Sequence, residues 1–303
     1  MKFVEIPLLR KYCVPGAQRA EHEHDQGVKD MKGLTDKKVL VTGGTSGIGQ
    51  AIAVRFAAEG AHVAINYRKS EKDAAETDAM IHQVLRQCVD EVEAHGVNHI
   101  LVQADVSKED EVQRMVQEVV DKLGCLDVLI NNAGIVKAAD SHEMSIADFD
   151  RVLAVNLRGA FVAAQAAIRH FLAQDKAGVI INVSSVHQII PKPRFLSYSI
   201  SKGGMQNLTR TLALEYAGRG IRVNGIGPGA TITPINRAWV DDPEKAVEVV
   251  RHLPMGRAGT AEEMAAVTAF LASDDAAYVS GQTLFVDGGL TLYPDFRTAW
   301  SSE

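Results

Sequence analysis

The chain is poor in the residues that mark several protein classes. It has only three cysteines (Cys13, Cys88, Cys125) in 303 residues. They are widely spaced, with no Cys-x-x-Cys pair and no neighbouring His cluster, which argues against a disulfide framework or a zinc site and for reduced thiols. There is no excess of positive charge, since the formal net charge is -6, so the electrostatic footprint of a nucleic-acid or anionic-membrane binder is missing. No uninterrupted run of 18 apolar residues occurs, and the first residues lack the apolar core of a secretory signal; the expected location is the cytoplasm. What remains, 46% hydrophobic and 23% charged residues, is an ordinary globular mixture whose partner is expected to be a small molecule.

Residues 1–33 have no sustained period and end in a polar, charged run, which reads as an N-terminal extension or arm. Residues 34–303 read as one domain. From Lys37 onward short β-branched runs alternate with helical patterns, the sequence form of repeated βαβ units. The strands are expected at Val39–Val41, Val63–Ile65, Ile100–Val102, Val128–Ile130, Val179–Val183, Arg222–Ile226 and Thr283–Val286. The predicted fold is α/β, a doubly wound parallel sheet of about seven strands with helices on both faces. Ser107 with Asp110, Ser145 with Asp148 and Thr260 with Glu263 are Ser/Thr-x-x-acid boxes that predict helix starts. Between Ser70 and His95 the pattern stays helical for about 26 residues, roughly 39 Å at the helical rise, long for a crossover.

After the first strand comes Thr42-Gly43-Gly44-Thr45-Ser46-Gly47-Ile48-Gly49, running directly into a helical pattern. Glycines let the chain turn tightly, and they let a pyrophosphate approach backbone amides where the helix dipole favours anions. The spacing is Gly-x3-Gly-x-Gly and not Gly-x-Gly-x-x-Gly. Roughly 20 residues further on, where such sites test the adenosine ribose, stands Asn66-Tyr67-Arg68-Lys69. An acid there would repel a 2′-phosphate, whereas Asn66 followed by Arg68 and Lys69 leaves room and countercharge for one. The cofactor expected is NADP, with NAD tolerated.

Tyr198 and Lys202 are four apart at the start of a helical pattern and project from one face. A phenol has a pKa near 10, and a neighbouring ammonium stabilises its phenolate. Ser185 closes the strand Val179–Val183, at the sheet edge where ligands sit in open parallel sheets.

Taken together these motifs resemble the short-chain dehydrogenase/reductase family over residues 34–295. The resemblance implies a Rossmann-type fold and hydride transfer between a nicotinamide and an alcohol or carbonyl. It assigns the cofactor turn to Gly43, Thr45, Ser46, Gly47, Ile48 and Gly49, and adenine contacts to Asp105 and Val106. Asn132, Ala133 and Gly134 would line the cofactor, and Pro228, Gly229 and Thr233 would meet its nicotinamide end. Ser185 would bind the reacting oxygen, Tyr198 move the proton, Lys202 tune Tyr198 and hold the ribose, and Asn156 hold a relay water. No metal is required.

Within the family, SHEMS (Ser141–Ser145), SSVH (Ser184–His187), IGPGATITPIN (Ile226–Asn236) and TLFVDGGLTLYP (Thr283–Pro294) resemble bacterial glucose 1-dehydrogenases. His187 and Asn236 are then expected at the substrate, together with Val136, Ser185 and Tyr198. Val136 departs from the polar or acidic residue that such enzymes place there, and this keeps a 3-oxoacyl thioester reductase open as the alternative. A cofactor-binding regulatory protein without turnover is the reading from another class. The resemblance also implies a homotetramer, with Tyr293–Phe296 near a subunit boundary.

Overall fold

The structure, a computed structural model, describes residues 31–68 and 88–292. The expectations for residues 1–30, Lys69, most of the long helical pattern after Ser70, and Tyr293–Phe296 lie outside the described residues. Those described belong to a compact unit that begins at Met31. Its first residues are packed: Met31 N donates to Glu59 Oε2 and Leu34 is fully buried.

A seven-stranded sheet runs in the order β3-β2-β1-β4-β5-β6-β7. The strands are β1 (Lys38–Val41), β2 (His62–Tyr67), β3 (His99–Gln103), β4 (Val128–Asn131), β5 (Gly178–Val183), β6 (Ile221–Pro228) and β7 (Thr283–Val286). Every pairing is parallel, as crossover helices demand. The helices are α1 (Gly47–Ala58), α2 (Glu109–Leu123), α3 (Ile146–Leu153), α4 (Gly159–Ala173), α5 (Leu196–Tyr216), α6 (Arg237–Val240), α7 (Pro243–Arg251) and α8 (Ala261–Ala272). Residues 88–93 are helical as well.

Alternation along β1 divides the core. Leu40 packs with Leu129, Ile180, Val116 and Phe171 on one face. Val39 and Val41 pack with Ile130, Ile181, Phe56 and Ala269 on the other. Both faces are covered, which is why these strands read as continuous apolar runs. The strand order reverses direction between β1 and β4, so a crevice opens beyond their carboxyl ends.

Two of the three predicted caps are present. Ser145 accepts from Asp148 N, and Thr260 with Glu263 forms a complete capping box. Ser107 does not cap α2, whose N-cap is Lys108. The Ser107 hydroxyl instead donates to Asp105 and accepts from the Arg151 guanidinium, the donor that takes the place of the helix amides.

The stretch Ile146–Ala173 is long and apolar enough by composition to cross a membrane, and 56% of its most apolar window is buried within the fold. It is a core element, α4 lying on α2 and β4. Between α3 and α4 the residues Ala154–Arg158 form a π turn. Cys88 and Cys125 are free thiols. Burial pushes Cys88 up to about 12, which leaves it unreactive at neutral pH.

Gly159 shows how tightly the helix layer approaches the loop after β3: a Cβ there would lie 2.5 Å from the Val106 carbonyl oxygen. Because that neighbour is backbone, it cannot rotate away. Gly159→Ala is expected to lose about 1–3 kcal/mol despite its better helix propensity, read as a lower urea midpoint at unchanged slope.

Candidate active site

The crevice is built from three strand ends. After β1 the chain turns through Gly43 and Gly47, at φ 60° and 55°, conformations that favour glycine. Helix α1 then starts with no side-chain cap from Ser46 and no acid in its first turn. Its leading amides have no intrahelical partner, so the helix presents free donors and a positive dipole end. Thr45 and Ser46 lie at the open side of the turn, and Gly49 is buried. A Cβ on Gly47 would sit 3.4 Å from Thr233 and Pro234, which places the segment after β6 over the turn. These features fit a dinucleotide pyrophosphate.

The turn is braced from β4. Thr42 Oγ1 donates to Ile130 O at 3.2 Å and accepts from Asn132 N at 3.0 Å and Ala133 N at 3.1 Å. Asn132 Nδ2 returns bonds to Thr42 O and Gly43 O. Further inside, Asn131 Nδ2 donates to Ala160 O and Asn182 Oδ1, and Asn182 Nδ2 to Thr209 Oγ1. Buried amides thus tie β4, β5, α4 and α5 together.

The segment expected to face the adenosine ribose begins with Asn66. Asn66 is buried; its Oδ1 accepts from Gly43 N at 3.1 Å, and its Nδ2 donates to Val102 O and Ala104 O. It is a brace for the glycine turn and not an open ribose contact. Arg68 is the solvent-facing member of the segment, with Nη1 3.8 Å from Asp105 Oδ2. Asp105 accepts from Ser107 N and Oγ on one oxygen and from Arg151 Nη2 on the other. Burial raises its pKa, but the Ser107 bonds and the Arg151 guanidinium outweigh that and hold the carboxyl below its ordinary range. Val106 is buried beside it.

Ser185 follows β5 and caps a short 3-10 turn, accepting from His187 N at 3.1 Å. Its hydroxyl lies near enough to the Tyr198 phenol to lower that group's pKa. Lys202 is buried behind them, its Nζ 5.6 Å from the Tyr198 ring and donating to Val183 O at 2.7 Å. Burial raises the Tyr198 pKa and the Ser185 hydroxyl opposes it. Burial also pushes Lys202 down to about 8. Asn156 lies in the π turn, fully buried, with Oδ1 accepting from Ile135 N and Nδ2 donating to Ile135 O and Ser201 Oγ. Its carboxamide is saturated by protein partners. A Cβ on Gly134 would come 3.8 Å from Lys202 Nζ and 3.6 Å from Asn156 Oδ1, so the segment after β4 borders this cluster.

Of the expected substrate residues, His187 is the one drawn in. Its ring makes edge contacts with Phe195 and Tyr198 at 5.9 and 6.1 Å, and its Nδ1 is 3.0 Å from Ile190 O. Burial lowers its pKa, so the ring is neutral at pH 7, with Nδ1 carrying the proton toward Ile190 O and Nε2 left as an acceptor. Asn236 turns its Nδ2 to Thr231 O and Thr233 Oγ1, bracing its own turn. Val136 is half-buried next to Ile135. Pro228 ends β6, and a Cβ on Gly229 would lie 2.7 Å from Asp287 Cα.

Comparison with known proteins agrees with this layout. The family profile described as enoyl-(acyl carrier protein) reductase matches residues 43–291. The chain belongs to the short-chain dehydrogenase/reductase family. Within it, the chain is 50% identical over 266 residues to a glucose 1-dehydrogenase of Gluconobacter oxydans, covering 88% of this chain and 96% of that one. It is 49% identical over 268 residues to 3beta-hydroxysteroid dehydrogenase 1 of Eggerthella lenta, covering 88% and 97%. A solved short-chain dehydrogenase/reductase structure with bound NADP, described as a 2-deoxy-D-gluconate 3-dehydrogenase of Agrobacterium tumefaciens, superposes with a TM-score of 0.76 at 34% identity, covering 86% and 98%. The parallel sheet and the CH-OH oxidoreductase class follow from this membership.

Asn182 and Thr209 are supports that the sequence alone did not single out, and the bracing by Thr42 and Asn66 was likewise not foreseen. Only the alternating position of Asn131 and Asn182 in otherwise apolar strands could have hinted at them.

The depressed Lys202 pKa has a stability consequence. Below about pH 8 the lysine is charged in both folded and unfolded chains, and the folded state bears the full cost. Between that value and the unfolded value near 10.4 the unfolded chain binds the extra proton, so stability gained from Lys202 rises with pH. The stability difference between wild type and Lys202→Met, measured by urea denaturation, should therefore shift in favour of wild type as pH rises from 8 to 10.

Proposed function

We propose that the chain is an NADP-preferring dehydrogenase of a sugar-type alcohol, with NAD accepted, in which Ser185, Tyr198 and Lys202 form the reacting centre. The observation that carries this reading is the buried Lys202 ammonium 5.6 Å from the Tyr198 ring, with the Ser185 hydroxyl beside the phenol. The amides of residues 45–49 would hold the pyrophosphate, with the Gly43 backbone beside it. Arg68 and Lys69 would meet a 2′-phosphate, and Asp105 and Val106 the adenine. Asn132, Ala133 and Gly134 would form the wall, and Pro228, Gly229 and Thr233 the nicotinamide end.

When bound, the nicotinamide accepts or returns the hydride, and its oxidised ring brings a positive charge beside the phenol. That charge matters because burial alone makes Tyr198 a weak acid. In the oxidative direction Ser185 holds the substrate oxygen and Tyr198 takes its proton, while Lys202 offsets the phenolate. Asn156 holds residue 135 with its carboxamide, so a relay water would fall to its main-chain carbonyl, in the π turn where the helical bonding register is broken. His187 Nε2 is available to a substrate hydroxyl, with Val136 and Asn236 at the edges of that space.

The similarity to a glucose 1-dehydrogenase supports a sugar, and Val136 favours the second reading, reduction of a 3-oxoacyl thioester. The reading includes a cytoplasmic location. It also includes a homotetramer, for which the exposed Phe161 on α4 and the exposed Ile200 and Leu214 on α5 supply apolar contact.

Purified protein is expected to reduce NADP+ faster than NAD+ with D-glucose or a related sugar. Turnover confined to acetoacetyl-coenzyme A with NADPH would replace the sugar reading by the second. Tyr198→Phe should bind NADPH within a few-fold of wild type by fluorescence titration yet turn over at least about 10²-fold more slowly, the loss expected of general acid/base chemistry.

A further inference from the structure

Two arginines reach the same oxygen of Asp105. Arg151 Nη2 donates to Asp105 Oδ2 at 3.1 Å, and Arg68 Nη1 stands 3.8 Å from that oxygen. They come from different elements, Arg151 from α3 and Arg68 from the residue after β2.

Arg151 has the firmer hold. While Nη2 takes Asp105, its Nη1 donates to Ser107 Oγ at 2.5 Å, so the guanidinium grips two acceptors at once. Ser107 closes the ring by donating to Asp105 Oδ1 from its hydroxyl at 2.7 Å and its main-chain N at 2.9 Å. In the π turn, Arg158 Nη2 donates to Ser107 O at 2.6 Å, and Gly159 leaves no room for a Cβ against Val106 O. The loop after β3 is thus seated on the α3, π-turn and α4 layer, and the Asp105 carboxylate has one orientation. Arg68, with 52% of its side chain exposed, meets that carboxylate only at a distance too long for a hydrogen bond. Glu111, the other acid at this loop, is engaged by Asp105 N at 2.8 Å and by Lys108 Nζ at 3.0 Å.

A carboxylate beside the cation that is to meet a 2′-phosphate opposes binding twice: it competes for the guanidinium and it repels the phosphate. The 3.8 Å separation is well inside the ~8 Å over which charges stay coupled at physiological salt. Protonation does not remove the charge, because the Ser107 bonds and Arg151 hold the Asp105 carboxyl below its ordinary range. A second cation on the same oxygen does offset it. It occupies the lone pairs turned toward Arg68 and neutralises the charge that a phosphate would meet.

We propose that Arg151 is a positioning residue for cofactor choice: by occupying Asp105 it leaves Arg68 to the 2′-phosphate, and so sets the preference for NADP over NAD. The proposal rests on the reading of Arg68 as the 2′-phosphate contact.

The test is binding without turnover. NADPH and NADH are titrated by fluorescence into wild type, Arg68→Met, Arg151→Met and the double variant Arg151→Met with Asp105→Asn. Displacement by 2′,5′-ADP and by 5′-AMP, fragments that differ by the phosphate in question, repeats the comparison. Arg151→Met should raise the dissociation constants of NADPH and 2′,5′-ADP at least about fivefold and leave those of NADH and 5′-AMP within about twofold. Asp105→Asn keeps acceptors for Ser107 and removes the released charge. Added to Arg151→Met, it should return the NADPH-to-NADH ratio to within about twofold of wild type. If Arg151→Met lowers the urea midpoint, Arg151→Gln, which keeps donors to Ser107 without the charge, is expected to give the same shift in that ratio. Equal weakening of NADPH and NADH, or no recovery in the double variant, makes Arg151 a support of the loop alone and overturns the proposal while Arg68→Met still lowers the preference for NADPH. A ratio unmoved by Arg68→Met overturns the reading of Arg68 and the proposal with it.

Discussion

The hydroxyl of Thr42 is the interaction on which the crevice depends. One buried side chain at the end of β1 joins three main-chain groups of β4 and the segment after it. A glycine-rich turn has little stiffness of its own, since each glycine loses more conformational freedom on folding than any other residue. Thr42, Asn66 and Asn132 supply the missing constraint, holding the turn from β2, β3 and β4 at once. The leading amides of α1 are thereby fixed in space without a capping side chain or an acid competing for them. A pre-positioned ring of donors binds an anion with little reordering.

The same logic extends across the switch point. Asn131, Asn182 and Thr209 link the sheet to α4 and α5, and α5 carries both Tyr198 and Lys202. The cofactor turn and the proposed reacting centre are therefore positioned through one set of buried polar contacts. In a low-dielectric interior such contacts are strong when fully satisfied and costly when broken. The charges around this frame are graded. After β3, Asp105 gathers Arg68 and Arg151, the centre holds a lysine with a depressed pKa, and at the rim Lys192 lies over the Phe195 ring.

Much of this was legible in the sequence, for reasons that differ by element. All seven strands were readable as short apolar runs, buried on both faces in the central strands and partly so in the edge strands β3 and β7, although β2 and β6 extend further than their apolar stretch. Their ends, Tyr67 and Pro228, are paired by sheet hydrogen bonds that no side-chain pattern reports. Tyr198 and Lys202 were readable because helical spacing puts them on one face. Asn66 was read only as the neutral residue that leaves room for a phosphate, and its bracing of the glycine turn was not legible, since a polar residue at a strand end looks the same whether it faces solvent or the turn. Ser107 was misread as a cap, because its hydroxyl oxygen is taken by the Arg151 guanidinium and its proton by Asp105, contacts that spacing does not show. The saturation of the Asn156 and Asn236 amides depends on partners distant or reversed in chain direction, which spacing cannot show.

The central claim is that hydrogen bonds from Thr42 hold the glycine turn in a cofactor-ready shape. The direct measurement is NADPH binding to Thr42→Val, which keeps the side chain's shape and removes its hydroxyl. The dissociation constant should rise about tenfold or more, about 1.4 kcal/mol of binding, while circular dichroism shows the fold retained. An unchanged dissociation constant in a folded Thr42→Val protein would contradict the account.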